Sequence, residues 1–138
     1  MPTVNHILET ALYVADPEVS ARFYEGLFGW RRLLEQERMI AVAVGETNQV
    51  LLLFRVGGSV GGEQTPGGFI PGHDGRGQLH VAFAISAAEV EPWQARLAER
   101  GVAVESVNKP ERGGTSIYFR DPDGHCVELA SPGIWPNY

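Results

Sequence analysis

The chain carries the same order of strands and helix twice, and this internal repeat restricts the possible folds more than any other pattern in it. Residues 8–14 align with residues 79–85, and Glu18-Val19 falls on Glu89-Val90 at the same offset. Residues 50–53 match residues 126–129 in order and polarity, once a small difference in length between the two copies is allowed for. Two copies of one βαβββ module therefore account for most of the chain.

In the first copy, β-branched, aromatic and aliphatic residues predict a strand over Ile7–Val14. A helix then starts near Asp16, which can accept free backbone N–H groups, and it ends at Gly26 or Gly29. Its apolar stripe is predicted to consist of Val19, Phe23 and Leu27. The remaining strands of this copy are predicted over residues 30–35, 39–44 and 50–56.

The second copy restarts after a glycine-rich loop, residues 57–77, which is expected to be functional or mobile. It is predicted to have a strand over 79–85, a helix opening near Glu89 with Pro92 in its first turn, and strands over 102–107, 115–120 and 126–130. Residues 121–124 predict a hairpin turn, after which His125 is expected to be exposed. The aromatic C-terminal residues 134–138 are expected to dock rather than extend freely.

These elements predict an α+β fold in one domain over residues 1–138, with modules at about 5–56 and 78–132 joined by the loop 57–77. The net charge of −6 argues against nucleic acid or an anionic membrane as the main partner. Cys126 is the only cysteine, so no intramolecular disulfide can form. No apolar run suits a signal peptide or a membrane span, and a cytoplasmic location is predicted.

Three motifs resemble the vicinal oxygen chelate superfamily, which includes glyoxalases, bleomycin-resistance proteins and extradiol dioxygenases. They lie at residues 12–16, 23–29 and 118–129, and the last is the most recognisable. The resemblance implies that the two tandem βαβββ modules form a curved mixed sheet with a cup-shaped metal site. It also implies a homodimer, in some relatives with ligands drawn from two chains, and a small-molecule substrate.

By position, the resemblance implies Glu9, His80 and Glu128 as metal ligands. The repeat adds support, because Glu9 and His80 occupy equivalent places in the two copies. Glu128 stands in an otherwise apolar strand, where a buried carboxylate is costly unless it is paired or binds a metal. The alternatives are a solvated strand end for Glu9, a hydrogen-bonded core histidine for His80 and an exposed edge strand for Glu128.

One imidazole and two carboxylates suit a single divalent ion, which could be Mn²⁺, Fe²⁺, Ni²⁺, Co²⁺ or Zn²⁺. Glyoxalase I-like relatives use a fourth protein ligand, but the repeat places Leu52 at that position. Extradiol dioxygenases use two histidines and one carboxylate. The present set matches neither pattern, and Glu9 is the residue predicted to act as general base.

Ser116 and Tyr118 alternate on one face of the strand expected to pair with that of Glu128, so both are predicted to line the cup. Tyr118 resembles a substrate-facing tyrosine of relatives that include fosfomycin-resistance transferases; packing in the core is an equally good interpretation. The threonine of those transferases is replaced by Ala11. Arg112 is predicted to bind an anionic group of the substrate, against the alternative of a solvated surface role.

The favoured function is a metal-dependent lyase, isomerase, transferase or dioxygenase acting on a small oxygenated molecule. Such an enzyme would bind its substrate by bidentate chelation and stabilise a developing enolate or other oxyanion. The alternatives are a non-catalytic protein that sequesters an antibiotic, in the manner of bleomycin-resistance proteins, and a fosfomycin-resistance-like transferase. A pure interaction module fits the polar ligand positions least well.

Overall fold

A computed structural model describes all 138 residues and shows two compact units, residues 1–77 and 78–138. Each unit holds one βαβββ module, so the predicted tandem repeat and the α+β class are confirmed. The single-domain assignment stays a prediction. The helices lack the length and the hydropathy of a membrane-spanning segment.

The first unit contains one helix and a four-stranded sheet in the order β1-β4-β3-β2, in which β1 and β4 are parallel and the other neighbours are antiparallel. Its elements are β1 (Glu9–Val14), α1 (Pro17–Phe28), β2 (Arg32–Gln36), β3 (Met39–Ala43) and β4 (Val50–Arg55). Because the first and last strands of the module are neighbours, Glu9 is paired with Val50 and Ala11 with Leu52.

Helix α1 begins and ends where the sequence predicts. The Oδ1 atom of Asp16 accepts a hydrogen bond from the backbone N–H of Glu18 at 2.9 Å, and Gly29 ends the helix with φ of 72°, a conformation that glycine adopts without strain. The predicted apolar stripe is partly wrong, because Val19 is 51% exposed. The buried stripe of the helix is instead rotated from the predicted one and consists of Pro17, Ser20, Ala21, Tyr24 and Leu27.

The sheet of the first unit has apolar clusters on both faces. Leu12, Leu51 and Leu53 are almost fully buried, and helix α1 contacts both β3 and β4. A second cluster, Met39, Ala41 and Phe54, packs with Ala11, Tyr13, Val50 and Leu52. Because side chains alternate along a strand, this second cluster lies on the opposite face of the sheet.

The glycine-rich segment 57–77 is not a structureless loop. It folds into a short hairpin of β5 (Glu63–Thr65) and β6 (Gly68–Ile70), followed by residues that pack on Tyr13 and Phe54. Strands of three residues are too short to show a periodic pattern in the sequence.

The second unit repeats the arrangement, with its strands in the order β7-β10-β9-β8 and with β7 parallel to β10. Its elements are β7 (His80–Ala84), α2 (Val90–Glu99), β8 (Val104–Asn108), β9 (Ser116–Arg120) and β10 (Cys126–Ala130). A one-turn 3₁₀ helix, Ala87–Glu89, precedes α2, and the side chain of Glu89 bonds back to the N–H of Ser86 at 3.1 Å. Pro92 lies in the first turn of α2, as predicted.

His125 is fully buried, so its predicted exposure is wrong. Its ring atom Nδ1 accepts a hydrogen bond from the backbone N–H of Leu79 at 2.9 Å. The backbone N–H of His125 donates to Oδ1 of Asp121, also at 2.9 Å. The hairpin turn predicted at 121–124 therefore also anchors the start of β7. At the C-terminus, the hydroxyl of Tyr138 donates to the carbonyl of Ala130 at 2.8 Å, so the tail docks as expected.

Candidate metal centre

The pairing of β10 with its two neighbours brings three predicted site residues together. His80 lies opposite Cys126, while Glu128 lies opposite Ala82 on β7 and opposite Tyr118 on β9. Paired residues of a sheet present their side chains on the same face, and so do residues two apart on one strand. His80, Glu128 and Tyr118 consequently share one face of the second unit.

The imidazole of His80 and the carboxylate of Glu128 are in direct contact. Nε2 of His80 lies 3.3 Å from Oε2 of Glu128, and the Glu128 side chain is only 8% exposed whereas that of His80 is 54% exposed. Glu128 is therefore not on an exposed edge strand, and His80 is not a core histidine. Leaving a carboxylate so deeply buried costs free energy unless a cation or hydrogen bonds compensate its charge.

The hydrogen bond of the other ring nitrogen of His80, Nδ1, determines whether Nε2 carries a hydrogen or a lone pair. Nδ1 lies 2.9 Å from the carbonyl oxygen of Cys126, an acceptor only, so Nδ1 carries the hydrogen. In neutral imidazole, Nε2 then presents a lone pair toward the Glu128 carboxylate. A proton or a metal ion fits between these two groups, beside the hydrogen bond between the Tyr118 hydroxyl and Glu128. Metal-binding histidines typically have their other ring nitrogen hydrogen-bonded in this way.

Tyr118 and Ser116 extend this cluster along β9. Burial raises the pKa of Tyr118, a hydrogen bond with Ser116 acts in the opposite direction, and the charge of Glu128 raises it further. The ring of Tyr118 lies 6.5 Å from that of His80, and Ser116 is buried. The Tyr118 phenol thus stays protonated at neutral pH beside the Glu128 carboxylate.

The other two predicted residues belong to other elements of the fold. Glu9 is the exposed first residue of β1 in the first unit. Arg112 is exposed in the turn before β9, and no hydrogen bond or ion pair holds it. No group of three or more His, Cys, Asp or Glu side chains in the chain is close enough to hold a metal ion. The described contacts therefore provide two of the three predicted ligands in one place.

Glu9 does line a cavity of about 400 Å³ in the first unit, a feature that sequence reasoning missed. Its walls come from β3, β4 and the glycine-rich segment, and they include Met39, Leu52, Phe54 and His73. Leu52, at the position where some relatives carry a fourth ligand, forms part of this apolar lining. No local pattern in segment 57–77 indicated that it would close over the sheet.

Paired βαβββ modules, with a histidine and a carboxylate meeting on the first and last strands of one module, define the vicinal oxygen chelate class of protein. The comparison with family models agrees. The chain belongs to the Glyoxalase/Bleomycin resistance protein/Dioxygenase superfamily, whose model matches residues 3–129. The predicted resemblance is thereby confirmed over nearly the whole chain.

Among characterised relatives, the chain is similar to metallothiol transferase FosB of Bacillus licheniformis, with 31% identity over 133 residues that cover 96% of this chain and 77% of that one. It also matches glutathione transferase FosA of Serratia marcescens, with 46% identity over 50 residues, 36% of this chain and 34% of that one. Among solved structures, lactoylglutathione lyase from Agrobacterium tumefaciens superposes with a TM-score of 0.87 and 31% identity, covering 98% of this chain and 99% of that chain.

Proposed function

We propose that this protein is a divalent-metal-dependent enzyme that acts on a small oxygenated substrate, with the metal held by Glu9, His80 and Glu128. The observation that carries the proposal is the contact between Nε2 of His80 and the buried carboxylate of Glu128 at 3.3 Å. A nearly buried carboxylate facing an imidazole lone pair fits a cation bound between them. When bound, a divalent metal with open positions polarises substrate oxygen atoms and stabilises negative charge that develops on them.

The neighbouring side chains have separate roles in this proposal. Tyr118, kept protonated by burial, donates a hydrogen bond or a proton to a substrate oxygen, and Ser116 orients its hydroxyl. Glu9 acts as a ligand and as the general base, and Arg112 meets an anionic group of the substrate. Three protein ligands suit Mn²⁺, Fe²⁺, Ni²⁺, Co²⁺ or Zn²⁺, with no single metal favoured.

The proposal is tested by metal binding. We expect the purified protein, stripped and titrated with Mn²⁺, to bind about one ion per chain. His80→Ala and Glu128→Ala should each weaken binding at least about a hundredfold, beyond the 10- to 100-fold effect typical of residues that only support a ligand. His6→Ala and Glu111→Ala are matched controls, because both residues are exposed. Equal affinity in all five proteins would disprove the ligand assignment.

The similarity to known transferases favours a second candidate function, a thiol transferase. Those relatives include a metallothiol transferase at 31% identity and a glutathione transferase. In such a reaction, a thiol would attack an electrophilic carbon such as that of the fosfomycin epoxide, opening the ring and forming a carbon–sulfur bond. Mass spectrometry of Mn²⁺-loaded protein with glutathione and fosfomycin would detect the adduct. If the protein binds no metal, non-catalytic sequestration of a small molecule becomes the better proposal.

We also propose that the protein is a cytoplasmic homodimer. Each four-stranded sheet has two end strands, β1 and β2 in the first unit and β7 and β8 in the second, and the outer backbone groups of an end strand pair with no strand of their own sheet. Such edges are usually paired or covered in stable proteins. Sedimentation analysis should therefore give twice the mass of the 15.1 kDa chain. A monomer at micromolar concentration would contradict this part of the proposal.

A further inference from the structure

A separate cavity lies wholly within the second unit, at the end of its sheet that is away from His80. Its volume of about 590 Å³ lies within the range of roughly 300–1,000 Å³ that small-molecule sites occupy. Helix α2 and the turn before it line one side, and residues at the ends of β8, β9 and β10 line the other. Cys126, the strand partner of His80, precedes the lining residue Ser131 by roughly 16 Å of strand. The cavity is therefore distinct from the proposed metal centre.

Specific contacts hold the wall that β9 and β10 contribute. The backbone N–H of Thr115 donates to the side-chain oxygen of Ser131 at 2.8 Å, and the backbone N–H of Ser131 donates to the carbonyl of Thr115 at 3.0 Å. Gly114 packs so tightly that a Cβ atom there would lie 2.9 Å from the carbonyl oxygens of Ser131 and Pro132. Because Ser131 is only 2% exposed, this wall belongs to the packed part of the unit.

Two opposite charges line the cavity and are not committed to other protein groups. Lys109, the only lysine of the chain, follows β8, and Glu91 lies in the first turn of α2. No hydrogen bond or ion pair engages either side chain, and the two do not pair with each other. An ion pair between Lys109 and Glu91 would satisfy both charges. Since it is not formed, each charge is free to meet a ligand.

The remaining lining is partly apolar and partly neutral polar. Val90 and Val107 supply hydrocarbon, and Val107 is 40% exposed. Gln94 adds an amide that can both donate and accept hydrogen bonds, and Thr115 adds a hydroxyl group. Exposed hydrocarbon together with two unpaired, opposite charges suits a ligand that has an apolar body and carries both charges itself.

We infer that this cavity binds a zwitterionic α-amino acid with an apolar side chain. The ammonium group of Lys109 meets the ligand carboxylate, and the carboxylate of Glu91 meets the ligand ammonium group. The ligand side chain lies against Val90 and Val107, where burial of hydrocarbon adds affinity. A ligand with one charge only would leave the opposite protein charge unpaired. The inference goes beyond the proposed function, because no residue of this cavity belongs to the proposed metal site.

The experiment compares L-leucine with two analogues that each lack one of its charges. Isocaproate lacks the ammonium group, and isoamylamine lacks the carboxylate. Titration of the full-length protein, followed by the amide NMR signals of Val90, Gln94 and Thr115, should give saturable shifts with L-leucine. Each analogue should bind at least about tenfold more weakly, because each loses one charge-assisted hydrogen bond. The comparison is made in the wild type, so it does not depend on the folding of a variant.

Substitutions then assign the two charges. Lys109→Gln should bind L-leucine at least about tenfold more weakly than the wild type and no more than about twofold more tightly than isoamylamine, since the carboxylate has lost its partner. Glu91→Gln should show the same pattern with isocaproate in place of isoamylamine. Arg100→Gln and Glu111→Gln are matched controls that should keep the wild-type affinity, because both residues are exposed and neither lines the cavity.

All titrations use metal-free protein, so that chelation of a metal ion by the amino acid cannot contribute. Absence of saturable shifts with L-leucine up to about 50 mM would overturn the inference. Binding of either analogue as tightly as L-leucine in the wild type would overturn it too, as would unchanged L-leucine affinity in Lys109→Gln and Glu91→Gln. Each of these results leaves the metal site standing, because Mn²⁺ binding is measured separately.

Discussion

Replacing His125 by leucine tests whether the buried turn anchors the strand that carries His80. Leucine is close in size to histidine, so the change leaves little cavity in a site that is fully buried. It removes Nδ1, the acceptor for the N–H of Leu79, whose bond is 2.9 Å long. The backbone N–H of residue 125 can still donate to Asp121, so the turn itself remains bonded. The N–H of Leu79 is thereby left without this acceptor.

An unsatisfied N–H of this kind costs about 1–3 kcal/mol, so we expect the free energy of unfolding to fall by about 2 kcal/mol. For a chain of this length each kcal/mol shifts Tm by roughly 3–5 °C, and Tm should fall by roughly 6–10 °C. Urea unfolding followed by tryptophan fluorescence reports both units, because Trp30 lies in the first and Trp93 in the second. Hydrogen exchange of the Leu79 amide should accelerate in the variant.

His6→Leu is the matched control, since it makes the same chemical change at an exposed position and should alter stability by less than about 0.5 kcal/mol. The reasoning is refuted if His125→Leu also stays within about 0.5 kcal/mol of the wild type while the Leu79 amide keeps its protection. That result would mean that another acceptor holds the start of β7. The buried histidine would then be a packing residue only.

The glycine-rich segment, the C-terminal tail and the ion pairs of helix α1 can each be tested by one substitution. Gly75→Ala should lower Tm and speed proteolysis of the glycine-rich segment, because its Cβ would lie 2.2 Å from the Tyr13 ring, whereas Gly67→Ala should not, since its Cβ meets only Thr65 at 3.7 Å. Tyr138→Phe should cost about 1 kcal/mol in urea unfolding through loss of the hydroxyl bond to Ala130, and an unchanged midpoint would contradict the docking of the tail. Hydrogen bonds from Arg32 and Arg22 lower the pKa of Glu18 to about 2, so its contribution to stability is present above pH 4.5 and is lost as the pH falls toward 2. Arg32→Ala should flatten the stability profile in that interval, and profiles that superimpose on the wild type would argue against this ion-pair network.

The sequence predicted the order and type of the main elements because each is specified locally. Asp16 and Gly29 mark the ends of α1, and residues 126–130 are strand in both prediction and structure. The resemblance to the superfamily implied His80 and Glu128, and the repeat supported His80 through its equivalence to Glu9. The hairpin at Glu63–Ile70 could not be predicted, because strands of three residues are too short to show an alternating pattern.

Two predictions that the structure contradicts, the exposure of His125 and the burial of Val19, failed for the same physical reason. His125 follows a turn, where exposure is usual, but tertiary hydrogen bonds to Leu79 and Asp121 bury it. Val19 fits a four-residue spacing, but the contact with the sheet selects a stripe that runs through Ala21 and Tyr24 instead. In both cases the sequence pattern was compatible with more than one environment, and partners distant in the chain decided between them.

The parallel pairing of the first and last strands has a consequence for how each module folds. His80 and the carbonyl that orients it, on Cys126, are 46 residues apart in the chain. Contacts of such separation carry a large loop-closure entropy and tend to limit folding rates. The face bearing His80 and Glu128 therefore forms only when the module closes, and a nascent or partly folded chain does not bring these two side chains together.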